Sequence, residues 1–261
     1  MKKTLIDGIP ELMPHDISTF ISGADIYDSS CSPEARVYFI DRGKGLYLKR
    51  GALGSLAREA EMTAYFHSKG LGAEVLSYAQ NEYDWMLSRA VRGEDGVLDK
   101  HLSDPKRLCD LIAKELRKLH EIDASDCPVQ DRMGEYIRLV EQNYKTGRYD
   151  SSHFPDSFGY SSADEAISVF ENGKHELENE VLIHGDYCLP NIMLNNWKLS
   201  GFIDVGNGGI GDRHVDLFWG AWTLGFNLGT DMYRDRFLDA YGRDKIDEEK
   251  LKIIAAAEVF G

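Results

Sequence analysis

The sequence predicts an α+β fold with a small, antiparallel β-rich amino-terminal lobe and a larger, mostly helical carboxy-terminal lobe. Two observations lead to this prediction. Between residues 35 and 88, short apolar segments are separated by turns that contain glycine or asparagine, as in antiparallel strands. Beyond residue 105, apolar residues recur at steps of three and four, as they do along one face of a helix. A chain of 261 residues is long enough for both lobes.

The amino-terminal lobe is predicted at residues 1–87 and contains a helix among antiparallel strands. The helix spans residues 55–68, which lack proline and internal glycine, and Gly70 ends it. The strands are predicted, in chain order, at residues 36–40, 46–49, 75–78 and 84–88. The first two form a hairpin around the glycine-bearing turn at 41–45. Residues 88–96, which contain two glycines, are the predicted connector between the lobes.

The carboxy-terminal lobe is predicted at residues 97–261. Its helices are expected at 108–119, 133–144, 164–172, 214–228, 233–241 and 248–260. Three short apolar runs, at 181–183, 192–194 and 201–203, read as strands. Residues 146–163 are rich in Ser, Gly, Asp and aromatic residues and read as a loop.

Composition excludes several classes of protein. The formal net charge of −14 would repel nucleic acid and anionic membranes and would attract cations. No run of about 20 apolar residues could cross a membrane, and the amino terminus lacks the apolar core of a signal peptide. The four cysteines lie far apart without paired spacing, so reduced thiols in a cytoplasmic protein are expected.

The chemistry is concentrated between residues 181 and 206. His184-Gly185-Asp186 follows the first apolar run, Asn191 comes five residues after Asp186, and Asp204-Val205-Gly206 follows the third. Phosphoryl transfer in a kinase needs a carboxylate that orients the attacking hydroxyl, and an amide and a second carboxylate that hold magnesium. The kinase catalytic loop has this spacing, with a later Asp-x-Gly.

The segment 181–219 resembles the aminoglycoside 3′-phosphotransferases, which are bacterial antibiotic-resistance kinases. The marks are residues 184–192, residues 200–204 and Gly-Asp-Arg-His-Val-Asp-Leu at 211–217, with weaker ones at 46–49 and 116–123. The resemblance implies a protein-kinase-like fold, ATP (or GTP) and Mg²⁺ as cofactors, and phosphorylation of an aminoglycoside hydroxyl, which by family analogy is the 3′ one.

The resemblance implies these roles for the central residues. Asp186 would be the catalytic base, and Asn191 and Asp204 the magnesium ligands. Lys49 would contact the α- and β-phosphates, held by a glutamate of the helix at 55–68. Glu59 and Glu61 are the candidates, and both cannot face Lys49, since a two-residue step turns about 200° around a helix. The family pattern favours Glu59.

The remaining nucleotide contacts are carried over from the family. Ser32 stands in place of a glycine-rich phosphate loop, although a plain turn would also explain its Ser-Pro pair. Tyr47 matches an aromatic that stacks on the base, with an ordinary strand aromatic as the alternative. Ser88 and Ala90 match the connector backbone that binds adenine.

The predicted substrate pocket is lined by carboxylates, since aminoglycosides carry several ammonium groups. The candidates are Glu258, the terminal carboxylate of Gly261, and the loop residues Asp156, Asp164 and Glu165. The chain departs from the family elsewhere: Phe226, Asn227 and Ala257 stand where acids occur, and Asn207 stands where an arginine is usual.

Three further residues of this lobe are expected to be structural. Asp212 and Asp216 would brace the catalytic loop from beneath, and His120, on the apolar stripe of its helix, would be a hydrogen-bonded core residue.

The function expected from the sequence is therefore an aminoglycoside O-phosphotransferase with a polycationic small molecule as its partner. A kinase of the same fold that acts on another amino or hydroxy metabolite is the alternative, and a nucleotide-binding protein without turnover is the third. The oligomeric state stays open.

Overall fold

The structure, a computed structural model, describes residues 3–9, 11–31, 35–149 and 158–261. The chain folds into two compact units. The first comprises Met1–Glu94 and Ile192–Gly206, and the second comprises Asp95–Asn191 and Asn207–Gly261.

The strands and helices of the described residues have the following bounds. The strands are β1 (Thr4–Ile6), β2 (Asp25–Asp28), β3 (Arg36–Asp41), β4 (Leu46–Ala52), β5 (Val75–Gln80), β6 (Tyr83–Arg89), β7 (Glu94–Asp95), β8 (Val181–Ile183), β9 (Ile192–Leu194), β10 (Leu199–Phe202) and β11 (Gly209–Gly211). The helices are α1 (His15–Ile21), α2 (Ala57–Ser68), α3 (Asp99–Leu102), α4 (Pro105–His120), α5 (Arg132–Thr146), α6 (Ala163–Gly173), α7 (Arg213–Leu228), α8 (Arg234–Tyr241) and α9 (Glu248–Glu258).

The first unit is built on an antiparallel sheet with the strand order β1-β2-β3-β4-β6-β5. In the central pair, Tyr47 lies opposite Ser88, and Lys49 lies opposite Met86. Alternate residues of β3, β4 and β6 pack with α1 in a buried apolar cluster that includes Trp85. Because side chains alternate across a sheet, this burial places Tyr47 and Lys49 on the opposite face from the α1 cluster.

Asp84 anchors the start of α2 in the same unit. The side chain is fully buried, and it accepts hydrogen bonds from the backbone N–H groups of Gly54 at 2.9 Å and Leu56 at 2.8 Å. Two side chains of the neighbouring strand also donate to it. Burial by itself raises the pKa of this carboxyl, but these donors hold the pKa below its usual value. The first turn of α2 is therefore fixed to β6.

The hairpin of β9 and β10 belongs to the first unit, although the sequence alone places residues 192–206 with the larger lobe. The Phe202 backbone N–H donates to the Leu71 carbonyl at 2.7 Å. The Phe202 ring packs edge-on against Phe66 of α2, with 6.2 Å between ring centroids. These contacts with the end of α2 hold the segment that leads to Asp204.

The second unit is mostly helical. Its apolar core joins α5, α6, α7 and α9 around the short strand β8 and includes Phe170, Ile254 and Phe260. β8 pairs antiparallel with β11, and the catalytic-loop sequence follows β8 directly. The predicted α+β class, with an antiparallel sheet in one part and helices in the other, is confirmed.

None of the helices in the described ranges combines the length and the apolar character that spanning a bilayer requires. All four cysteines are free thiols, as the spacing in the sequence predicts.

Candidate active site

A cavity of about 460 Å³ opens in the first unit, within the range of about 300–1,000 Å³ typical of small-molecule sites. Its walls combine apolar side chains with a charged cluster. The apolar residues include Val37, Ala73, Met86, Met193 and Ile203, and the charged ones include Lys49, Glu59 and Asp204. Such a mixture suits a flat base and a charged group in one ligand.

Lys49 lies between two carboxylates. Its Nζ is 2.8 Å from both side-chain oxygens of Glu59 and 3.1 Å from Oδ1 of Asp204. Burial by itself lowers the pKa of Lys49, but the Asp204 and Glu59 carboxylates raise the pKa above the ordinary lysine value. The ammonium group is therefore charged and oriented within the cavity.

Glu59 makes the ion pair with Lys49 because it lies on the side of α2 that faces the cavity. Glu61 is exposed on the other side of α2.

The backbone of the Asp204 segment has an uncommon conformation. Asp204 has a positive φ of 56°, which is rare for a residue with a side chain. At Gly206 a Cβ would lie 3.2 Å from Cβ of Glu59. The glycine of Asp-Val-Gly thus lets the segment after Asp204 pass close to the glutamate.

The other residues expected to contact the nucleotide, at its base or at its phosphates, divide into three groups. Tyr47 and Ser88 line the cavity. Ala90 is not among its wall residues in the described part of the chain, and the Ala90 N–H donates to the Gly45 carbonyl at 3.0 Å. An adenine contact through that N–H would first have to break this bond. Ser32 lies outside the described residues.

The second unit carries the loop of Asp186 and Asn191. The Asn191 amide donates to Oδ2 of Asp186 at 2.8 Å and to the Asp186 carbonyl at 3.1 Å. The backbone N–H of Asp186 donates to Nδ1 of the buried His184 at 3.2 Å. These three residues therefore hold one another, and the Asp186 side chain is fixed at one carboxylate oxygen.

Asp216, on the first turn of α7, braces this loop from beneath, as the sequence predicts. Its two oxygens accept the backbone N–H groups of His184 at 2.7 Å and Gly185 at 2.8 Å. Gly185 has a φ of 82°, and a Cβ there would overlap the carbonyl oxygen of Asn207. The loop can thus adopt this turn only with glycine at that position.

The other two expected structural residues have different roles. His120 is buried and bonds to Oδ2 of Asp216 at 3.2 Å and to the Tyr241 hydroxyl at 2.8 Å, which confirms the prediction of a hydrogen-bonded core histidine. Burial lowers the pKa of this imidazole. Asp212 accepts hydrogen bonds from His214, from the Glu178 backbone and from Lys250, and none of these partners belongs to the loop of residues 184–191.

Glu258, near the end of α9, lies close to the catalytic loop. Its Oε1 accepts a 2.7 Å hydrogen bond from the Tyr136 hydroxyl, and the Trp219 indole donates to the same carboxyl group. Burial raises the pKa of Glu258 to about 7, and the nearby Asp186 carboxylate contributes in the same direction. Glu258 is therefore a carboxyl group that ionises close to neutral pH beside Asp186.

The remaining substrate candidates are less closely grouped. Gly261 is exposed, and its N–H donates to the Glu258 carbonyl at 3.3 Å. Asp164 accepts a 2.9 Å bond from the Tyr144 hydroxyl. Glu165 accepts from the Ser161 backbone at the start of α6, as helix-capping residues do. Asp156 lies outside the described residues.

The sequence missed Ile203 and Met193 as wall residues of the cavity, and Arg132 beside the catalytic loop. The signal for Ile203 was its place directly before Asp204. Arg132 carried no motif, but its Nε donates to the Asn207 carbonyl at 2.8 Å. Glu180, Asp212 and His214 also offer oxygen and nitrogen atoms close enough to hold a metal, yet Arg213 and Lys250 already pair with the two acids.

Comparison with known proteins matches this chain to one family over most of its length. The profile of the phosphotransferase enzyme family (APH) matches residues 33–254. A probable aminoglycoside 3′-phosphotransferase of Lactococcus lactis subsp. lactis (strain IL1403) is 49% identical over 252 residues, which cover 96% of each chain.

Solved structures agree on the fold. The crystal structure of an aminoglycoside 3′-phosphotransferase of type VIII superposes with a TM-score of 0.79 at 24% identity, covering 94% of this chain and 97% of that one. An aminoglycoside phosphotransferase of Streptomyces rimosus, in complex with ADP and streptomycin, superposes with a TM-score of 0.73 at 20% identity, covering 86% and 90%. The chain thus has the protein-kinase-like fold that aminoglycoside phosphotransferases share.

Proposed function

The chain belongs to the phosphotransferase enzyme family, and we propose that it transfers the γ-phosphoryl group of ATP to the 3′-hydroxyl of an aminoglycoside. The observation that carries the reaction type is the loop at Asp186, whose carboxylate Asn191 holds at one oxygen while Asp216 holds the backbone. The substrate class follows the relative that is 49% identical, which is itself named a probable aminoglycoside 3′-phosphotransferase.

In this proposal Asp186 accepts a hydrogen bond from the attacking hydroxyl and takes its proton as the bond to phosphorus forms. Asn191 donates to Oδ2 of Asp186, and a carboxylate has further lone pairs that can accept the substrate hydroxyl. Held by Asn191 and by the braced backbone, Asp186 needs little reorganisation before the reaction, which is how positioning lowers a barrier. ADP is the leaving group, since the bond that breaks joins the γ-phosphorus to the bridging oxygen.

The nucleotide is placed in the 460 Å³ cavity of the first unit. Lys49, oriented by Glu59, would contact the α- and β-phosphates, and Tyr47 with Ser88 would border the base. Asp204 is suited to magnesium because its carboxylate is half-exposed on the cavity wall and oxygen ligands are those that Mg²⁺ prefers. By the family resemblance Asn191 would be a second ligand, and a bound ion would neutralise part of the phosphate charge.

The acceptor is placed in the second unit near Asp186 and Glu258. An aminoglycoside carries several ammonium groups, and Glu258 is a carboxyl group close to Asp186 that ionises near neutral pH. The net charge of −14 favours approach of a cation. This reaction would take place in the cytoplasm, where ATP is available.

The test is ATP consumption with Mg²⁺ and kanamycin, with the product mass and the phosphorylated hydroxyl determined by NMR. Wild type should add one phosphate to the 3′-oxygen. Asp186→Asn should lower kcat by about 10²–10⁴-fold and leave the affinity for ATP unchanged. Asp204→Asn should lose magnesium-dependent ATP binding. A product phosphorylated elsewhere, or an active Asp186→Asn enzyme, would contradict the assignment.

A kinase for another amino or hydroxy metabolite is the second candidate. The observation that favours it is Phe226, an uncharged ring that is 71% exposed at a position where the resemblance leads us to expect an acid. Ala257 is a weaker argument, because it is fully buried in the core of the second unit. A panel of unrelated amino alcohols, assayed beside kanamycin, decides between the two, and ATP binding without any turnover would point to the non-catalytic alternative.

A further inference from the structure

Three aromatic side chains of α7 form a continuous column, here called the aromatic ladder: Trp219, Trp222 and Phe226. The rings of Trp219 and Trp222 meet edge to face, with 5.3 Å between centroids and 81° between planes. Trp222 and Phe226 stack with 4.9 Å between centroids and 12° between planes. Phe226 is 71% exposed. The ladder thus ends in an aromatic face that is open to solvent.

The ladder flanks the side of α7 that faces the catalytic loop. Thr223 is on that side, since the Leu189 backbone N–H donates to its hydroxyl at 3.1 Å. Positions 219 and 226 each lie within about 60° of position 223 around a helix, and position 222 lies about 100° from it, where Trp222 lines a second cavity with Ala221 and Asp231. Thr223 also bonds the Cys188 thiol, which in turn bonds Asp186.

The inner end of the ladder is tied to Glu258. The Trp219 indole donates a hydrogen bond to that carboxyl group, which is also close enough to Asp186 to feel its charge. A line of groups therefore runs from Asp186 through Glu258 and Trp219 to the exposed ring of Phe226. This continuity argues that the ladder and the acceptor site belong together.

We propose that the aromatic ladder is an outer wall of the acceptor site, where an amino-sugar ring stacks and its ammonium group contacts an aromatic face. The proposal rests on the proposed function and adds a specificity determinant to it. Rings attract cations through their negative faces, and stacked sugars bury apolar C–H groups on them. An ammonium group would then be held at the Phe226 ring without a charged partner on that ring.

A second copy of this chain is the competing occupant, because exposed aromatic patches also mark protein interfaces. The hydrogen bond between Trp219 and Glu258 favours the small cation, since it connects the patch to a carboxyl group beside Asp186.

The experiment compares steady-state kinetics of wild type, Phe226→Ala, Phe226→Leu and Phe226→Trp with kanamycin and with ATP. Phe226→Ala should raise KM for kanamycin about 3- to 10-fold and leave KM for ATP unchanged. Phe226→Leu keeps apolar bulk but loses the ring, so it should resemble the alanine variant, whereas Phe226→Trp should resemble wild type. Met232→Ala is the matched control, because Met232 is also 71% exposed and is outside the ladder.

The dependence of KM for kanamycin on salt concentration provides an independent test. A contact with an aromatic face depends on ionic strength less than an exposed ion pair does. KM for kanamycin should therefore rise more steeply with salt in Phe226→Glu than in wild type, although Phe226→Glu binds well at low salt.

The outcomes separate the two proposals. If wild type phosphorylates kanamycin and Phe226→Ala leaves KM unchanged, the ladder proposal is overturned and the proposed function stands. If wild type phosphorylates no aminoglycoside, the proposed function fails and the ladder proposal fails with it. If Phe226→Ala halves the molecular mass measured by light scattering without changing KM for kanamycin, the ladder is a contact between copies and the proposal is overturned.

Discussion

The carboxylate of Asp216 holds the backbone N–H of His184 at 2.7 Å, so a side chain of α7 sets the turn that presents Asp186. Its other oxygen holds the N–H of Gly185. Both donors lie directly after β8, in a segment that is itself neither strand nor helix. The geometry at Asp186 therefore depends on a fully buried side chain that has no direct role in binding the proposed substrate.

Replacing Asp216 by Asn tests this dependence. The amide keeps one acceptor oxygen but turns an NH₂ group toward a backbone N–H, which leaves one or both donors unpaired. Because unpaired buried donors are costly, we expect the free energy of unfolding to fall by about 2–4 kcal/mol, with a loss of kcat larger than any change in KM. Urea denaturation and kinetics measure both. Asp239→Asn, at an exposed acid of α8, is the control and should change neither quantity.

Much of this architecture could be predicted from the sequence, because the long elements have strong patterns. The helices containing Leu116 and Glu59 were expected within three residues of their observed bounds. The strands β1 and β2 were not expected, since three or four residues give too little alternation to recognise. The place of residues 192–206 in the first unit was also missed, because it depends on the contact of Phe202 with Phe66, which is distant in sequence.

In the candidate site, too, the residues that lie close together along the chain could be predicted, and those that approach from distant segments could not. Motif spacing pointed to Asp186, Asn191 and Asp204 because these residues lie close together along the chain. Spacing could not point to Arg132, which bonds the Asn207 carbonyl, or to Tyr136, which bonds Glu258. Both belong to α5, more than 45 residues before the loop in the sequence. The contribution of these two residues to the site depends on tertiary packing. The sequence of α5 does not indicate it, because polar residues on one face are ordinary for a surface helix.

The ion pair of Lys49 leads to a prediction with a control on the same helix. Glu59→Gln removes the charge that orients the Lys49 ammonium, and hydrogen bonds to charged groups contribute about 1.5–3 kcal/mol. KM for ATP should therefore rise about tenfold or more, while KM for the aminoglycoside stays close to wild type. Glu61→Gln changes the same residue type on the exposed side of α2 and should behave as wild type. Equal effects of the two substitutions would contradict the proposed role of Glu59.

Glu258 leads to a prediction about pH. Its carboxyl pKa is raised to about 7 in the folded protein, and a polycation binds the ionised form better. Kcat/KM for the aminoglycoside should therefore fall as the pH drops below about 7, and Glu258→Gln should remove this part of the profile. The folding stability should change in the opposite sense: a raised carboxyl pKa stabilises the fold at low pH, and this stabilisation is lost as the pH rises through 7. Denaturation of both proteins between pH 5 and 8 measures it.

Arg132 provides the last prediction, because it reaches two parts of the site. Its Nε holds the Asn207 carbonyl, whose oxygen closes the space beside Gly185, and its charge lowers the pKa of Glu258. Arg132→Met should therefore lower kcat and also move the midpoint of the pH profile upward. Arg132→Lys keeps the charge but loses the planar donor, so it should lower kcat and leave the midpoint in place.

If Arg132 only supported the fold, its Lys and Met variants would not differ in their effects on kcat and on the midpoint of the pH profile. Arg138→Met removes an exposed arginine from the same helix and should leave both kcat and the midpoint unchanged. If Arg132→Lys and Arg132→Met shift the midpoint equally, the charge of Arg132 does not act on Glu258. If Arg132→Met leaves kcat unchanged, the bond to the Asn207 carbonyl does not hold the catalytic loop, and the brace of Asp216 is sufficient to position Asp186.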